Sequence, residues 1–238
     1  MNILIIGAGA MGGLFAALLA PLADICLFTT NAAHAETINR CGVRLTDMEG
    51  ATATVAVPAI TDAAQYSQRA DVVLICTKAA ATTAAAETAK SLLAKEGWVL
   101  TLQNGLGNLD RIAAVVGPER VAAGTTAQAA TLVGPGHVRH AGQGPTTLAP
   151  VKGFPRQRMQ LDGIAALFNN AGIATTCTDD IDSLLEAAAS GQGAGPSPIQ
   201  TAAPAPQPAS APQPAQNTSM DIDIDSLLAA AANDLQHN

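Results

Sequence analysis

The stretch Asn2-Ile-Leu-Ile-Ile-Gly-Ala-Gly-Ala-Met-Gly-Gly13 decides the fold of this 238-residue chain. Its apolar run Ile3–Ile6 is short and continuous, which is typical of a strand that is buried on both faces. Glycines follow at positions 7, 9 and 12, and an Ala- and Leu-rich segment continues to Ala20. This order predicts a buried strand, a tight glycine turn and a helix.

The same alternation of apolar strands and helices continues along the chain. Besides the opening strand and helix, it predicts strands at Asp24–Phe28, Asp71–Cys76 and Gly97–Leu102, a hairpin around Asp47–Gly50, antiparallel strands between Arg120 and Pro150, and helices at Ala32–Arg40, about Ala79–Lys95, Leu109–Val116 and Pro155–Asn170. Near-continuous apolar strands that alternate with helices are covered on both faces of a parallel sheet. We therefore expect an α/β fold, a Rossmann-like doubly wound parallel sheet, over residues 1–178.

The charge distribution separates this segment from the rest of the chain. All 12 Lys and Arg lie at or before Arg158, whereas 9 of the 19 acidic residues lie after it. A net charge of −7 and a pI of about 4.9 exclude a basic nucleic-acid-binding protein. Residues 191–217 carry no charge and hold 7 of the 14 prolines, which predicts a disordered Pro/Ala-rich linker.

A near-repeat flanks this linker. Asp180–Ala189 recurs as Asp223–Ala232, with Glu186 replaced by Ala229. Early acids followed by Leu and Ala predict one short helix within 179–190 and another within 218–238, each with a narrow apolar stripe. Two hypotheses follow: a solubilising tail, or helices that bind a protein partner through residues 180–189 and 223–232.

Other chain-wide features favour a soluble, cytoplasmic protein without a metal. The four cysteines have no C-x-x-C spacing, so neither a disulfide framework nor a metal site is expected. No Lys or Arg precedes the first apolar stretch, and glycines and Pro21 interrupt it. This argues against a signal peptide or a membrane span.

The glycine turn is the first candidate binding site. In dinucleotide-binding folds the first glycine permits the tight turn, the second lets the backbone approach the pyrophosphate, and the third lets helix and strand pack closely. The amides at the start of the following helix face the anion. We expect the coenzyme to be held by all six residues of this turn: Gly7, Ala8, Gly9, Ala10, Met11 and Gly12.

Polar residues follow three further strands. Thr29-Thr30-Asn31 ends the second strand, where an acid would select NAD and an arginine would accept the phosphate of NADP; neither charge is present, so both coenzymes stay open. Lys78 and Asn104 follow two other strands, and the carboxyl ends of parallel strands share one edge. There Lys78 would attract a carboxylate, and Asn104 would hold a ribose or a substrate oxygen. The alternatives are an exposed capping lysine and an ordinary turn residue.

Together these motifs resemble the amino-terminal domain of ketopantoate reductases (2-dehydropantoate 2-reductases). The resemblance covers about three quarters of the chain and is carried by Gly7–Gly12, Thr77-Lys78, Leu102–Gly107 and Gly124-Thr-Thr126 with Ala129-Ala130. It implies NADPH-dependent reduction of ketopantoate, a small 2-oxo acid, to pantoate, with NAD as the alternative coenzyme. It also implies that Lys78 and Asn104 line the nicotinamide and substrate pocket, and that Thr30 and Ala130 lie at the coenzyme.

The chain also departs from this family. The family usually has an arginine in place of Thr30, and its helical second domain supplies a catalytic lysine, whereas this chain has no lysine after Lys152. We therefore expect no catalytic residue here, feeble or lost turnover, and a chain truncated or rearranged after about residue 180. The alternatives are a non-catalytic NAD(P)-binding module whose C-terminal helices bind a protein partner, and a frame or recombination artefact at the repeat.

Overall fold

A computed structural model describes residues 1–103, 107–151 and 155–189. The described residues form alternating strands and helices. In chain order these are β1 (Asn2–Ile6), α1 (Ala10–Leu19), β2 (Asp24–Phe28), α2 (Ala32–Cys41), β3 (Val43–Thr46), β4 (Thr52–Val55), β5 (Ala59–Ile60), β6 (Ala70–Ile75), α3 (Thr82–Leu92), β7 (Leu93–Thr101), α4 (Asn108–Val116), β8 (Val121–Thr126), β9 (Ala129–Gly134), β10 (His137–Gly142), β11 (Thr146–Pro150), α5 (Pro155–Asn170), β12 (Thr175–Cys177) and α6 (Ile181–Ala189).

The main sheet has eight strands in the order β12-β11-β8-β7-β6-β1-β2-β5. Six of these strands are mutually parallel, in the order β8-β7-β6-β1-β2-β5. This order is that of doubly wound dinucleotide-binding folds. β11 runs antiparallel to β8 and β12 runs parallel to β11. The predicted α/β, Rossmann-like sheet is thus confirmed. Of the antiparallel strands predicted before Pro150, β11 extends one end of this sheet, whereas β9 and β10 pair in a smaller sheet.

Both faces of β1 are buried, as its continuous apolar sequence predicts. Ile3 and Ile5 belong to a core cluster with α1 and α5, whereas Leu4 and Ile6 belong to a second cluster with α3 and α4. The first cluster includes the stacked rings of Phe15 and Phe168, whose centroids lie 5.6 Å apart. Each buried side chain of this size contributes about 1.5–3 kcal/mol through burial of apolar surface.

A smaller sheet, in the order β4-β3-β10-β9, packs against α1. The predicted hairpin around Asp47–Gly50 forms its antiparallel β3–β4 pair. Gly13 of α1 faces this sheet, and a Cβ there would lie 2.6 Å from Cγ2 of Val138. A glycine at this position therefore lets β10 approach the helix that follows the glycine turn.

The predicted helix Ala79–Lys95 is shorter in the structure. Ala79–Ala81 form a 3-10 turn, α3 ends at Leu92, and Leu93 already belongs to β7. Leu93 pairs with Ala70 of β6 and is 6% exposed, so strand pairing and burial outweigh the helical preference of the Ala-rich sequence.

The helix predicted at 179–190 is α6, and it packs on the main sheet. Ile181 is 4% exposed and lies in a cluster with Ala123 and Ala149, with Leu184 at the edge. This part of the apolar stripe is therefore already covered, and binding of a partner through residues 180–189 stays a prediction. The linker at 191–217 and the helix at 218–238 lie outside the described residues. Among the described helices, none has the length and apolar character needed to cross a membrane.

Candidate coenzyme and substrate site

The turn after β1 brings three chain segments unusually close together. Gly7 has φ of 107°, and a Cβ there would lie 2.9 Å from the carbonyl carbon of Cys76 at the end of β6. A Cβ on Gly12 would overlap the carbonyl oxygen of Gly7. Glycine is therefore needed at both positions to hold β1, β6 and α1 in contact.

The middle glycine of the turn is open to solvent. Gly9 is the N-cap of α1 with φ of −75°, a value that any residue adopts, and a Cβ there would meet nothing within 4 Å. No side chain caps the helix, so the amides of its first turn have no side-chain acceptor. Such a helix start attracts an anion such as a pyrophosphate.

A histidine that the sequence analysis did not single out supports this turn. His34, in the first turn of α2, is 8% exposed, and its Nε2 lies 2.8 Å from the carbonyl oxygen of Ala8. The carbonyl can only accept, so Nε2 carries the proton and donates it. The backbone N–H of His34 donates to Oδ1 of Asn31 at 3.0 Å. The turn after β2 is thereby fixed against the turn after β1.

A cavity of about 340 Å³ lies beside the glycine turn, and we call it the lysine cavity. Its lining residues are Met11, Phe15, Ile75, Cys76, Thr77, Lys78, Ala79, Leu102, Gln103, Thr126 and Gln128. Lys78 is the only charged residue among them, and it is exposed. A cavity of this volume, with one cation and a few neutral hydrogen-bonding groups, suits a small carboxylic acid.

Gln103 connects the ends of β6 and β7 beneath the lysine cavity. Its Nε2 donates to the carbonyl oxygen of Thr77 at 2.7 Å and to Oγ1 of Thr82 at 3.0 Å, while its Oε1 accepts from Oγ1 of Thr101 at 3.0 Å. Thr82 and Thr101 are buried, so these bonds satisfy polar groups that water cannot reach. Gln103 thus fixes the backbone that carries Lys78.

The opposite wall of the lysine cavity is held by a second side-chain network. Nε2 of Gln128 donates to the carbonyl oxygen of Gly144 at 2.6 Å, which leaves Oε1 to accept from Nε2 of His140 at 2.8 Å. Thr126 shares a hydroxyl–hydroxyl bond of 2.8 Å with Thr146 on β11. Thr126 and Gln128 are therefore presented to the cavity in a fixed orientation.

The thiol in the lysine cavity is not a nucleophile at neutral pH. Desolvation raises the pKa of Cys76 to about 12, so the protonated thiol predominates. The thiolate, not the thiol, is the reactive form. The cavity is thus suited to binding and orientation through Lys78 and its neutral donors and acceptors, and not to covalent catalysis by cysteine.

A second cavity of about 170 Å³ lies at the carboxyl end of β2, and we call it the Thr30 cavity. It is lined by Ile6, Gly7, Phe28, Thr29, Thr30, Thr77, Ala81, Ala84, Ala85 and Thr88. Thr77 lines both cavities, so the two are neighbours at the segment where β1 and β6 end. In doubly wound sheets this reversal of strand order is where ligands bind.

The last two predicted site residues are Asn104 and Ala130. Asn104 lies outside the described residues. Ala130 is in β9, pairs with His140, and is not among the residues that line either cavity. Gln103, Gln128 and His34 were not expected, because their contacts join segments that are far apart in sequence.

The part of the chain that forms this site matches a known protein family. Residues 3–153 match the family model for ketopantoate reductase PanE/ApbA. The chain is 31% identical to a 2-dehydropantoate 2-reductase of Pyrococcus abyssi over 79% of this chain and 60% of the relative. It is 34% identical to one of Halobacterium salinarum, over 75% of this chain and 58% of the relative.

Solved structures agree with these relatives. The crystal structure of 2-dehydropantoate 2-reductase from Geobacter metallireducens is similar with a TM-score of 0.70 and 30% identity, over 78% of this chain and 60% of that one. The ternary structure of D-mandelate dehydrogenase with NADH and anilino(oxo)acetate has a TM-score of 0.71 and 27% identity, over 78% and 59% of the two chains.

The chain spans about 60% of the length of the curated relatives that it matches. The family match nevertheless includes the glycine turn, Lys78 and the strands that form both cavities. The fold and the arrangement of the strand ends both agree with this family match. The chain therefore belongs to the ketopantoate reductase PanE/ApbA family, whose members are oxidoreductases.

Proposed function

We propose that this chain binds a nicotinamide dinucleotide across the carboxyl edge of its main sheet and presents it to a small 2-oxo acid. The observation that carries the proposal is the pair of neighbouring cavities that share Thr77. A dinucleotide needs one site for each of its two nucleosides, with the pyrophosphate between them. The uncapped first turn of α1, which begins at Gly9 beside Gly7, is suited to bind the pyrophosphate.

The residues present fit a nicotinamide dinucleotide. Gly9 leaves a space that a Cβ would fill, and the uncapped first turn of α1 begins there. The Thr30 cavity would hold the adenosine ribose, and the lysine cavity would hold the nicotinamide. When bound, the coenzyme supplies hydride for reduction of a carbonyl group. The resemblance implies NADP, and the choice between NADP and NAD depends on the Thr30 cavity.

For the substrate we propose ketopantoate or a related 2-oxo acid. The Lys78 ammonium group would bind the substrate carboxylate, and Gln103, Thr126 and Gln128, whose side chains are held by hydrogen bonds within the protein, would form the wall around the rest of the molecule. D-mandelate dehydrogenase, a structural neighbour, was solved with NADH and anilino(oxo)acetate, which is itself an oxo acid derivative. We also propose that the protein acts in the cytoplasm.

We also propose that the 238-residue chain reduces the acid slowly by itself. The resemblance implies that a lysine of a helical second domain donates the proton, and no lysine follows Lys152. Loss of a positioned proton donor lowers a rate by about 10²–10⁴-fold. Binding of coenzyme and turnover are therefore separable in this chain.

The test is calorimetric titration of the purified chain with NADH and NADPH, followed by an assay of coenzyme oxidation with ketopantoate. We expect saturable binding of at least one coenzyme and turnover far below one per second. The control is Lys78→Met, which should keep coenzyme binding and lose the effect of ketopantoate. If neither coenzyme binds to folded protein, the proposed function is wrong.

A further inference from the structure

The Thr30 cavity bears on which coenzyme this chain selects, an inference that rests on the proposed function. NAD and NADP differ only at the 2′ position of the adenosine ribose, which carries a hydroxyl in one and a phosphate in the other. In doubly wound folds this position lies at the end of the second strand, where an acid binds the hydroxyl or an arginine accepts the phosphate. Thr29, Thr30 and Asn31 occupy that place here.

Among the described residues, none that lines this cavity is charged. Its described lining consists of the backbone of Gly7, the side chains of four threonines, three alanines, and the apolar side chains of Ile6 and Phe28. A bound phosphomonoester carries a charge of about −1.5 to −2 at pH 7. Among these lining residues, the 2′-phosphate of NADP would meet neither a lysine nor an arginine, whereas the neutral 2′-hydroxyl of NAD needs no cation.

Two oxygen acceptors next to Thr30 are already engaged within the protein. Oγ1 of Thr29 accepts the backbone N–H of Asn31 at 3.2 Å, and Oδ1 of Asn31 accepts the N–H of His34 at 3.0 Å. Thr30 is exposed, and within the described residues its hydroxyl has no hydrogen-bond partner. Its hydroxyl is therefore available both to donate to and to accept from a ligand.

The start of α2 is one source of positive potential near this position. A helix N-terminus favours a nearby anion by about two- to fivefold in affinity. A charge-assisted hydrogen bond from an arginine contributes more, about ten- to a hundredfold. Asn31 already caps α2 with its side chain, which satisfies one of the helix's first amides. The helix start alone does not replace the missing arginine.

We propose that Thr30 makes this chain prefer NADH to NADPH. The Thr30 hydroxyl exchanges hydrogen bonds with the ribose 2′-hydroxyl, and a 2′-phosphate finds no cation in the cavity. This reverses the coenzyme that the family resemblance implies. The specificity depends on one side chain at the end of β2, and the glycine turn serves both coenzymes equally.

The experiment compares dissociation constants for NADH and NADPH by calorimetry, with the whole 238-residue chain. We expect NADH to bind at least tenfold more tightly in the unaltered protein. In Thr30→Arg, NADPH should gain at least tenfold in affinity, and NADH should change less than threefold. The matched control is Thr54→Arg, which adds the same charge on the exposed edge strand β4 and should leave both constants unchanged.

Each outcome separates this inference from the proposed function. Tighter or equal binding of NADPH by the unaltered chain overturns the NADH preference while leaving the coenzyme site intact. A Thr30→Arg variant that folds but keeps the original ratio shows that Thr30 is not the determinant. If Thr30→Arg does not fold, the ratio measured on the unaltered chain still decides. Binding of neither coenzyme overturns the proposed function itself.

Discussion

Alanine substitutions at Gly9 and Gly12 distinguish a glycine needed for binding from one needed for folding. A Cβ on Gly9 would meet no protein atom within 4 Å, and the φ of −75° suits any residue. A Cβ on Gly12 would overlap the carbonyl oxygen of Gly7 and lie 3.3 Å from Cγ2 of Ile5. The two substitutions add the same methyl group three positions apart. Gly9→Ala should weaken coenzyme binding, whereas Gly12→Ala should destabilise the fold.

The expected magnitudes follow from these contacts. Gly9→Ala should leave the free energy of unfolding unchanged or raised by up to about 1 kcal/mol, because alanine restricts the unfolded chain. Its methyl group would keep a pyrophosphate from one charge-assisted bond of about 1.5–3 kcal/mol, so the coenzyme Kd should rise about 10- to 100-fold. Gly12→Ala should lower the free energy of unfolding by about 1–3 kcal/mol or more, because backbone must move.

Urea unfolding and calorimetric titration of both variants measure these effects. Gly134→Ala is the control, because a Cβ there also meets nothing within 4 Å and Gly134 lies in β9 of the smaller sheet. We expect this variant to show the same small change in stability as Gly9→Ala and the coenzyme affinity of the unaltered protein. Coenzyme binding by Gly9→Ala within twofold of the unaltered protein would refute the proposed path of the pyrophosphate. Unchanged stability of Gly12→Ala would refute the close packing.

Two further substitutions and one pH series test the hydrogen bonds and buried thiols around the glycine turn. Gln103→Leu should lower the free energy of unfolding by about 1–3 kcal/mol in urea, because two buried hydroxyls each lose one of their partners; an unchanged midpoint would exclude this role. His34→Ala should weaken coenzyme binding measurably, because the carbonyl of Ala8 loses its donor, and equal Kd values would count against it. Burial raises the pKa of Cys26 to about 11 and that of Cys76 to about 12, from an ordinary 9.0, so stability should be full below pH 9 and fall as pH rises toward 11–12. Urea midpoints between pH 7 and about 10.5 measure this loss, and a flat profile would contradict it.

The main sheet could be predicted from sequence because its signals are local. The apolar run Ile3–Ile6 and the glycines that follow define β1 and the turn without reference to any distant residue. The end of α3 could not be predicted in this way. Leu93 extends β7 because it pairs with Ala70, and an Ala-rich sequence contains no local indication of that pairing.

The candidate site shows the same division. Lys78 could be predicted as a cavity residue because it lies just beyond the end of a buried strand, and it lines the lysine cavity in the structure. Gln103 precedes Asn104 in the same strand-end motif, but its importance depends on contacts with Thr77 and Thr82, which lie on other segments. His34 is similar, since only the folded chain brings it to Ala8.

A crystal structure of the chain grown with NADH tests the central claim most directly. We predict that the pyrophosphate lies within hydrogen-bond distance of the first-turn amides of α1 at Gly9–Gly12. We also predict that the adenosine ribose occupies the Thr30 cavity and that the nicotinamide occupies the lysine cavity. Density for the dinucleotide away from the glycine turn, or an empty turn at saturating NADH, would contradict the account.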